Sequence, residues 1–277
     1  MKINNFLRGM FIVLIISLFG CGKTENANVQ NDNDVDNTSK TFTVGFDAEY
    51  PPYGYLDADG SYKGFDLDLA DEVAKRQGWE LIKKPIDWDS KDMELNSGSI
   101  DCIWNGFTIT GREDKYTWSI PYVDNSVVFV VRDDSKIYDK ADLAGKEVIT
   151  QAGSSAYAAL NDEDNYENIQ LRDSFSNLTL CQDFNTAFMY LESGMVDCVI
   201  VDIGVAKYQI NNRKNLFRQL QTELSKEQYA IGFKKGNTEL KDIVEKTVLQ
   251  MYNDGTFMKI ANKYADYSIP QMICLGE

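Results

Sequence analysis

The chain has 277 residues, with 28 lysines and arginines against 43 aspartates and glutamates, a formal net charge of −15 and no histidine. A surface this acidic repels nucleic acid, so we expect no nucleic-acid partner. The lack of histidine excludes Ser-His-Asp triads, histidine general bases and His-ligated zinc. The five cysteines show no CxxC spacing, and we therefore predict neither a metal site nor a cofactor.

The N-terminal segment, residues 1–20, has the pattern of a signal peptide. Lys2 and Arg8 give it a positive start, and residues 10–19 form an apolar core. This core is too short to span a bilayer as a helix. Residues 21–40 that follow are mostly polar. They have too few apolar groups to fold, which predicts a flexible tether.

The end of the signal segment resembles a bacterial lipobox. Residues 18–21 read LFGC, and in a lipobox the cysteine becomes the lipidated first residue of the mature protein. Phe19 is bulkier than the small residue usual at its position. The resemblance predicts an acyl anchor such as palmitate on Cys21, and a protein held outside a bacterial membrane, on its periplasmic or cell-surface face. A plain signal peptide followed by a chance cysteine is the alternative.

The remaining chain is long enough for one large core or two lobes. Hydrophobic periodicity and turn residues define its elements in chain order. The pattern predicts strands at residues 41–46, 81–86, 127–131, 147–150, 170–172 and 229–233, a hairpin turn at residues 57–60, and helices at residues 65–77 and 240–251. Strands that alternate with helices over two comparable halves predict an α/β protein with two lobes.

One segment of the chain is nearly repeated 96 residues later. Residues 95–103 return as residues 191–199, and both copies carry a Ser-Gly followed by a short apolar run. This pattern predicts a helix, a glycine C-cap and a buried strand. The first copy leads to Arg112 and the second ends at Asp202. A chance likeness is the alternative, because this pattern is common in α/β proteins.

Several polar and aromatic residues follow the predicted strands. In open α/β sheets, ligands bind beyond the C-terminal ends of the strands, and a cleft between two lobes is the usual site. The residues placed there are Asp47, Trp88, Asn105, Gln151 and Asp202.

These residues match what a desolvated free amino acid requires. Its carboxylate needs a guanidinium and further donors, which Arg112, Thr108 and the loop at residues 153–155 offer. Its ammonium needs a carboxylate, which Asp202 offers. Tyr50 and Trp88 suit the walls around its side chain. Each residue alone has an ordinary structural explanation, whereas their joint order at strand ends favours a ligand site.

The chain also resembles a known family, the solute-binding proteins of ABC importers for polar amino acids, often called family 3. The resemblance covers about residues 41–264 and rests on an ordered set of motifs. They are residues 44–53 (VGFDAEYPPY), 64–70 (GFDLDLA), 97–101 (SGSID), 105–110 (NGFTIT) with Arg112, 119–122 (SIPY), 142–146 (DLAGK), 153–154 (GS), 196–197 (VD) with Asp202, and 254–255 (DG).

The resemblance implies a role for each matching position. It implies an aromatic pair at Tyr50 and Trp88, a carboxylate clamp at Arg112 with Thr108 and the amides of Ser154 and Ser155, ammonium acceptors at Asp202 and the Gly106 carbonyl, and contacts to the ligand side chain from Asp47, Asn105 and Gln151. One departure concerns the clamp. Members normally have two residues between Thr110 and the arginine, and here only Gly111 separates them.

The family also implies the two-lobed fold of type II periplasmic binding proteins. Two crossing strands, near residues 123–125 and 227–229, would join the lobes. The resulting prediction places lobe 1 at residues 41–123 and 230–277 and lobe 2 at residues 124–229.

The resulting hypothesis is a monomeric receptor that closes by hinge motion on a free L-amino acid and delivers it to the permease of an ABC importer. Asp47 and Glu49 beside Tyr50 favour a polar or cationic side chain, although both acids also fit the overall negative charge. Two alternatives remain open. One is a cyclohexadienyl or arogenate dehydratase-like enzyme on the same fold, and the other is a ligand-sensing module.

The cysteines of the folded part fall into two groups. Cys102 and Cys198 lie in predicted buried strands and are expected to be small core residues. Cys181 and Cys274 are candidates for a disulfide, which sequence spacing alone does not decide.

Overall fold

The computed structural model describes residues 40–276, which contain thirteen strands in three sheets. The strands are β1 (Thr41–Phe46), β2 (Glu49–Tyr50), β3 (Gly54–Leu56), β4 (Tyr62–Lys63), β5 (Glu80–Pro85), β6 (Cys102–Ile103), β7 (Thr117–Trp118), β8 (Val123–Arg132), β9 (Glu147–Gln151), β10 (Asn177–Cys181), β11 (Cys198–Asp202), β12 (Phe217–Tyr229) and β13 (Gly232–Phe233). The first sheet has the order β5-β1-β6-β13-β7, the second has the order β10-β9-β11-β8-β12, and β2-β3-β4 form a small third sheet.

Eight α-helices accompany these strands within residues 40–276. They are α1 (Phe65–Gln77), α2 (Lys91–Ser97), α3 (Ser155–Leu160), α4 (Tyr166–Ser174), α5 (Phe184–Ser193), α6 (Ile203–Asn212), α7 (Thr238–Asn253) and α8 (Thr256–Ala261). Short 3₁₀ helices lie at Trp88–Ser90, Lys140–Leu143, Asn262–Tyr267 and Ile269–Met272.

Most predicted elements are present, and the best defined is α1. It has Asp66 and Asp68 in its first turn, Lys75 and Arg76 in its last turn, and Gly78 in the left-handed conformation as its C-cap. These charges oppose the helix dipole at both ends, which stabilises the helix. The hairpin turn predicted at residues 57–60 is also confirmed, since it joins β3 to β4.

Two predicted strands are wrong. Residues 170–172 belong to α4, which begins after Asn165, whose side chain accepts a hydrogen bond from the Asn168 amide. The strand comes later, as β10. The single strand predicted at residues 229–233 is two strands, because β12 ends at Tyr229 and β13 pairs with β6 and β7 of the first sheet.

The two longest strands, β8 and β12, pair antiparallel, with Val123 opposite Tyr229 and Asn125 opposite Glu227. These are the segments where the family resemblance places the crossings between lobes. All strands of the first sheet fall within the ranges predicted for lobe 1. The strands of the second sheet fall within the range predicted for lobe 2, except that β8 begins one residue earlier, at Val123. The exact lobe boundaries stay a prediction.

Residues of β8 alternate between two hydrophobic clusters. Val128 and Val130 pack into the larger cluster, while Val127, Phe129 and Val131 pack into a second one. Because successive side chains of a strand point to opposite faces, this alternation means that both faces of the second sheet are covered. The central strands are therefore fixed on both sides, and their ends provide rigid supports for side chains.

The two copies of the repeated segment adopt the same local structure. In each, a helix (α2 or α5) ends at a left-handed glycine, Gly98 or Gly194, and a strand follows. Asp101 and Asp197 also occupy equivalent positions. Their carboxylates accept hydrogen bonds from the amides of Thr43 and Glu147, at 2.7 and 3.1 Å. Each copy is thus fastened to a parallel strand of its own sheet.

The remaining sequence predictions concern the cysteines and the N-terminal segment. Cys102 and Cys198 are fully buried, as expected. The Cys181 thiol is reduced and lies 3.3 Å from the Thr150 carbonyl oxygen. None of the helices between residues 40 and 276 combines the length and the apolar character that crossing a bilayer requires. The predicted signal peptide and Cys21 lie outside the described residues.

Candidate functional site

A cavity of about 280 Å³ lies where strand ends of the first and second sheets meet. Ten of the eleven residues predicted to contact a ligand line it. They are Tyr50, Trp88, Asn105, Gly106, Thr108, Arg112, Gln151, Ser154, Ser155 and Asp202. The fold therefore brings residues from five separate segments of the chain to one small volume.

Arg112 forms the positive wall of the cavity. Its Nη1 donates to the Thr108 carbonyl oxygen and its Nη2 donates to the Gly153 carbonyl oxygen, both at 3.1 Å. The guanidinium carbon lies 5.2 Å from the centre of the Phe107 ring. Arg112 reaches the cavity despite the shortened spacing after Thr110. It also connects the loop after β6 to the loop after β9.

A second cation, Lys91, lies beside this wall. Its Nζ donates to the Trp88 carbonyl oxygen at 3.1 Å and lies 5.0 Å from the centre of the Trp88 ring. Burial and the charge of Arg112 together lower the pKa of Lys91 to about 8. The two cations lie near Gly153, where Asp89 Oδ1 also lies, so two positive charges against one carboxylate leave this end favourable to an anion.

Asp202 forms the negative wall. It is the last residue of β11 and only 2% exposed. Its Oδ1 accepts hydrogen bonds from Asn125 Nδ2 and from the Tyr229 hydroxyl, both at 2.6 Å. The carboxylate is thus held in place by β8 and β12. An ammonium group in the cavity would find its acceptor here.

Glu227 lies next to Asp202 and was not among the predicted residues. It is 7% exposed, and its Oε1 accepts hydrogen bonds from Thr108 Oγ1 and Asn125 Nδ2, both at 2.7 Å, and from Ser155 Oγ at 3.1 Å. Burial and the negative charge of Asp202 together raise the pKa of Glu227 to about 8. Glu227 therefore adds a second acidic group to this wall, in contact with two residues of the cavity.

Aromatic rings close the sides of the cavity. The Tyr50 ring packs 5.9 Å from the Phe184 ring, and its hydroxyl lies 3.4 Å from the Tyr229 hydroxyl. The Trp88 ring packs edge-on against Phe107, with the ring centres 5.5 Å apart. Flat, largely apolar walls of this kind suit the aliphatic or planar part of a small ligand.

Gly106 and Asn105 offer polar groups to a ligand. Gly106 has a φ of 55°, and a Cβ there would approach the rings of Tyr50 and Tyr229 to 3.0 Å, so the position favours glycine. Asn105 Oδ1 accepts from the Asp47 amide at 2.9 Å. Asn105 Nδ2 is buried and has no hydrogen-bond partner among residues 40–276. This nitrogen lies against Gly54, where an added Cβ would approach it to 2.6 Å.

The loop of Gly106 is held by Asp66, a fully buried acid at the start of α1. Asp66 Oδ2 accepts from the Gly106 amide at 2.6 Å and Oδ1 accepts from the Tyr122 hydroxyl at 2.9 Å. Burial raises the pKa of Asp66 to about 7. The sequence places Asp66 in the first turn of the helix, but only the structure shows that it supports the site.

Ser154 and Ser155 begin α3. The Ser154 side chain caps the helix by accepting from the Tyr157 amide at 3.1 Å. The amides at the start of a helix favour anions, and the Ser154 amide also donates to the Gln151 carbonyl oxygen at 3.3 Å.

Asp47 is the one predicted residue that does not line the cavity. Its Oδ2 accepts from Gln151 Nε2 at 2.7 Å, which places it behind Gln151. Burial raises the pKa of Asp47 to about 6. Asp47 instead lines an adjoining groove of about 1260 Å³ that shares Trp88 with the cavity.

We call this second space the acidic groove. The acids that line it are Asp47, Glu49, Asp87, Asp89, Glu94 and Asp183, and no lysine or arginine of the described residues lines it. The carboxylate of Glu94 forms an ion pair with Lys84, with 2.7 Å between Glu94 Oε2 and Lys84 Nζ. The other carboxylates give the groove a negative field next to the cavity.

Several residues of the site were not predicted from the sequence, because their roles depend on neighbours that only the tertiary structure brings close. Glu227, Asn125 and Tyr229 lie on the crossing strands, and Lys91 lies in α2. The predicted crossings at residues 123–125 and 227–229 were the available signal, because polar residues there face the cleft.

The family is decided by comparison with known proteins. Residues 42–267 match the model of the bacterial extracellular solute-binding proteins, family 3. The chain belongs to this family. The fold resemblance stated from the motifs is thereby confirmed.

Individual relatives agree with this assignment. The L-cystine-binding protein TcyA of Bacillus subtilis is 31% identical over 264 residues, covering 91% of this chain and 94% of TcyA. The structure of an ABC uptake transporter substrate-binding protein from Streptococcus pneumoniae with bound histidine has 34% identity and a TM-score of 0.76, covering 81% of this chain and 92% of that one. Such neighbours confirm the α/β fold of type II periplasmic binding proteins.

A third neighbour bears on the enzyme alternative. The ancestral amino acid-binding protein AncCDT-1, a precursor of cyclohexadienyl dehydratase, has 29% identity and a TM-score of 0.73, covering 81% of this chain and 95% of that one.

Asp66→Ala is expected to lower the free energy of unfolding by about 2–4 kcal/mol, because the Gly106 amide and the Tyr122 hydroxyl would lose their buried acceptor. Urea unfolding monitored by fluorescence measures the loss. Asp68→Ala is the matched control on the same helix. It removes a partly exposed ion pair with Lys263, a contact with Tyr264 and a first-turn helix charge, so a smaller loss of about 1 kcal/mol is expected. Equal effects of the two variants would contradict the role given to Asp66.

Proposed function

We propose that this protein binds a free L-amino acid in the cavity and delivers it to the permease of an ABC importer. The observation that carries the proposal is the charge separation across one small cavity, with Arg112 at one wall and the buried Asp202 at the other. A free amino acid carries the complementary pair of charges. Membership in the solute-binding family and the ligands of its relatives support this function.

The proposed binding mode follows from the hydrogen-bonding capacity of the walls. Arg112 and the first-turn amides at Ser154 and Ser155 would receive the α-carboxylate. Asp202 and the Gly106 carbonyl would receive the α-ammonium. Tyr50 and Trp88 would flank the side chain. Affinity comes from desolvated charge pairing, and the protein performs no chemistry on the ligand.

Closure of the cleft is part of the proposal. Contacts such as Arg112 to Gly153 and Gln151 to Asp47 join loops of the two sheets. A hinge at the crossing strands β8 and β12 would open and close these contacts around the ligand. The protein would work as a monomer.

We propose a polar or cationic side chain for the ligand. The side chain would extend past Trp88 and Gln151 toward the acidic groove, where several carboxylates lack a cationic partner. A cation there would be favoured and an apolar side chain would gain nothing from the field.

Isothermal titration of ligand-free protein against the twenty amino acids and L-cystine tests both parts of this proposal. Polar or cationic amino acids such as L-arginine are expected to bind more tightly than L-leucine. Tight binding restricted to apolar amino acids would contradict the proposed side chain but not the amino-acid site. No binding of any amino acid in the panel would contradict the proposed function.

Arg112→Ala and Asp202→Asn test the two ends of the site. Each is expected to weaken binding at least about 30-fold, because a desolvated charge of the ligand would lose its partner. Arg213→Ala, at a partly buried position, and Asp134→Asn, at an exposed one, are matched controls that do not line the cavity and should bind like the parent. Unchanged titrations of both site variants would show that the clamp is wrongly assigned.

We further propose that Cys21 is lipidated after removal of a signal peptide and that the protein is anchored outside the membrane. The lipobox-like LFGC motif supports this. Full-length protein expressed in a bacterium should partition into the detergent phase of Triton X-114, and Cys21→Ser should move it to the aqueous phase. Aqueous partitioning of the parent would contradict the anchor.

An enzyme is the second candidate. AncCDT-1 links this fold to a dehydratase, and the raised pKa of Glu227 is a property that a general acid requires. Incubation with prephenate and measurement of aromatic product by absorbance separates the two functions. The binding proposal expects no product.

A further inference from the structure

Asp202 and Glu227 form a pair of buried carboxylates. Asn125 Nδ2 donates to Asp202 Oδ1 at 2.6 Å and to Glu227 Oε1 at 2.7 Å, so one amide nitrogen separates the two acids. The side chains are only 2% and 7% exposed. Two carboxylates this close cannot both ionise easily away from water.

The pair lacks a cation of its own. Neither carboxylate forms an ion pair with a lysine or arginine of residues 40–276. The buried Oδ1 of Asn125 also has no hydrogen-bond partner in this part of the chain. The cluster therefore has an excess of acceptors and of negative charge, and an ammonium group supplies what it lacks.

Glu227 also decides how two hydroxyls of the cavity are oriented. A hydroxyl has one proton to donate, and those of Thr108 and Ser155 lie 2.7 and 3.1 Å from Glu227 Oε1. When Glu227 is ionised, both protons point to it. The two hydroxyls then present oxygen lone pairs elsewhere, which suits an ammonium group and not a carboxylate. The α-carboxylate is left to Arg112 and to backbone amides.

The arrangement is built mainly within one sheet. Asp202 ends β11, opposite Val127 of β8, while Asn125 of β8 is opposite Glu227 of β12. From outside the second sheet and α3, Thr108 donates to Glu227 and Tyr50 lies against Asp202. The two acids are held to each other through Asn125 of β8, so the pair does not depend on the loops of the first sheet closing over the cavity.

We propose that Glu227 is a second acidic group of the ammonium end of the site, and that the Asp202–Glu227 pair exchanges a bound proton for the ammonium of the amino acid. This inference rests on the proposed function and adds to it a positioning residue and a proton exchange. Glu227 acts through Asp202 and the two hydroxyls. The O–H bond of the protonated carboxyl breaks, its proton goes to solvent and the ammonium takes its place, while every bond of the ligand stays intact.

The surroundings provide a route for the proton. Glu227 also lines a groove of about 1230 Å³ that includes residues of the loop after β6, of β8 and of β12, so solvent reaches it from there. The titratable and charged groups that face the pair are Tyr50, Tyr53 and Tyr229 around Asp202, Arg112 across the cavity, and Glu113, Asp124, Glu223 and Lys226 along the groove.

The sign of the pH dependence follows from competition between a proton and the ligand ammonium for the Asp202–Glu227 pair. Burial and the charge of Asp202 raise the pKa of Glu227 to about 8 in the ligand-free protein. An ammonium bound beside the pair favours the ionised form, so binding below that pH releases a proton. By linkage, affinity then rises with pH by up to about tenfold per unit, and the rise levels off above the pKa of the free protein.

The test compares the parent, Glu227→Gln and Glu223→Gln by isothermal titration between pH 5.5 and 8.5. The probe is the amino acid of the panel that the parent binds most tightly, beginning with L-arginine. Buffers of different ionisation enthalpy give the number of protons released. Parent and Glu223→Gln should release close to one proton at pH 6 and bind more tightly as the pH rises. Glu227→Gln should release fewer protons and keep a nearly constant affinity, matching the parent only at low pH.

A parent that binds an amino acid without releasing a proton, or a Glu227→Gln variant with the parental pH profile, would overturn the inference and leave the proposed function intact. Failure of every amino acid to bind would instead overturn the proposed function.

A ligand-free measurement tests the carboxylate pair separately. A raised pKa in the folded state stabilises the protein fully below the unfolded value of 4.5, and this contribution is lost as the pH rises through about 8. The melting temperature of the parent relative to Glu227→Gln should therefore fall between pH 5.5 and 8.5. Glu223→Gln should follow the parent. A difference between parent and Glu227→Gln that is constant with pH would contradict the pair.

Discussion

The separation of opposite charges across a cavity of about 280 Å³ is the constraint on which the rest of this structure depends. Asp202 is buried and Arg112 is partly buried, and each is kept in place by hydrogen bonds that include a group from another segment of the chain. Charges held this way cost desolvation energy that a ligand of complementary charge offsets. The two sheets, the crossing strands and the capped helices all serve to fix this pair.

The repeated helix–glycine–strand segment explains how the fold achieves the separation. One copy lies in each large sheet, and equivalent aspartates, Asp101 and Asp197, tie each copy to a neighbouring strand. The chain leaving the first copy carries Arg112, and the second copy ends at Asp202. The same local structure used twice thus delivers opposite charges to opposite walls. The crossing strands then add Asn125, Glu227 and Tyr229 behind the negative wall.

Support residues account for much of the rigidity of the site. Asp66 holds the loop of Gly106, Lys91 reinforces the positive end, and Asp47 fixes Gln151. Each is buried and polar. Asp66 and Asp47 have hydrogen-bond partners from distant parts of the chain, whereas Lys91 donates to the nearby Trp88 carbonyl oxygen. These residues position groups that face the ligand without lining the cavity, and the sequence motifs gave a role only to Asp47, as a ligand contact.

The sequence by itself determined the elements with strong local signals and the residues at their ends. Helix α1 was predictable from its charges and Gly78, and the repeated strands from their apolar runs after a Ser-Gly. Prediction from the sequence failed where local patterns were ambiguous. Residues 170–172 belong to helix α4, and at residues 229–233 the chain passes from one sheet to another. Arg112 and Asp202 were identifiable because they follow strands in a specific order of motifs. Only the tertiary structure decided that Asp47 lies behind Gln151 and that Glu227 lies against Asp202, because the neighbours of a buried carboxylate come from strands distant in sequence.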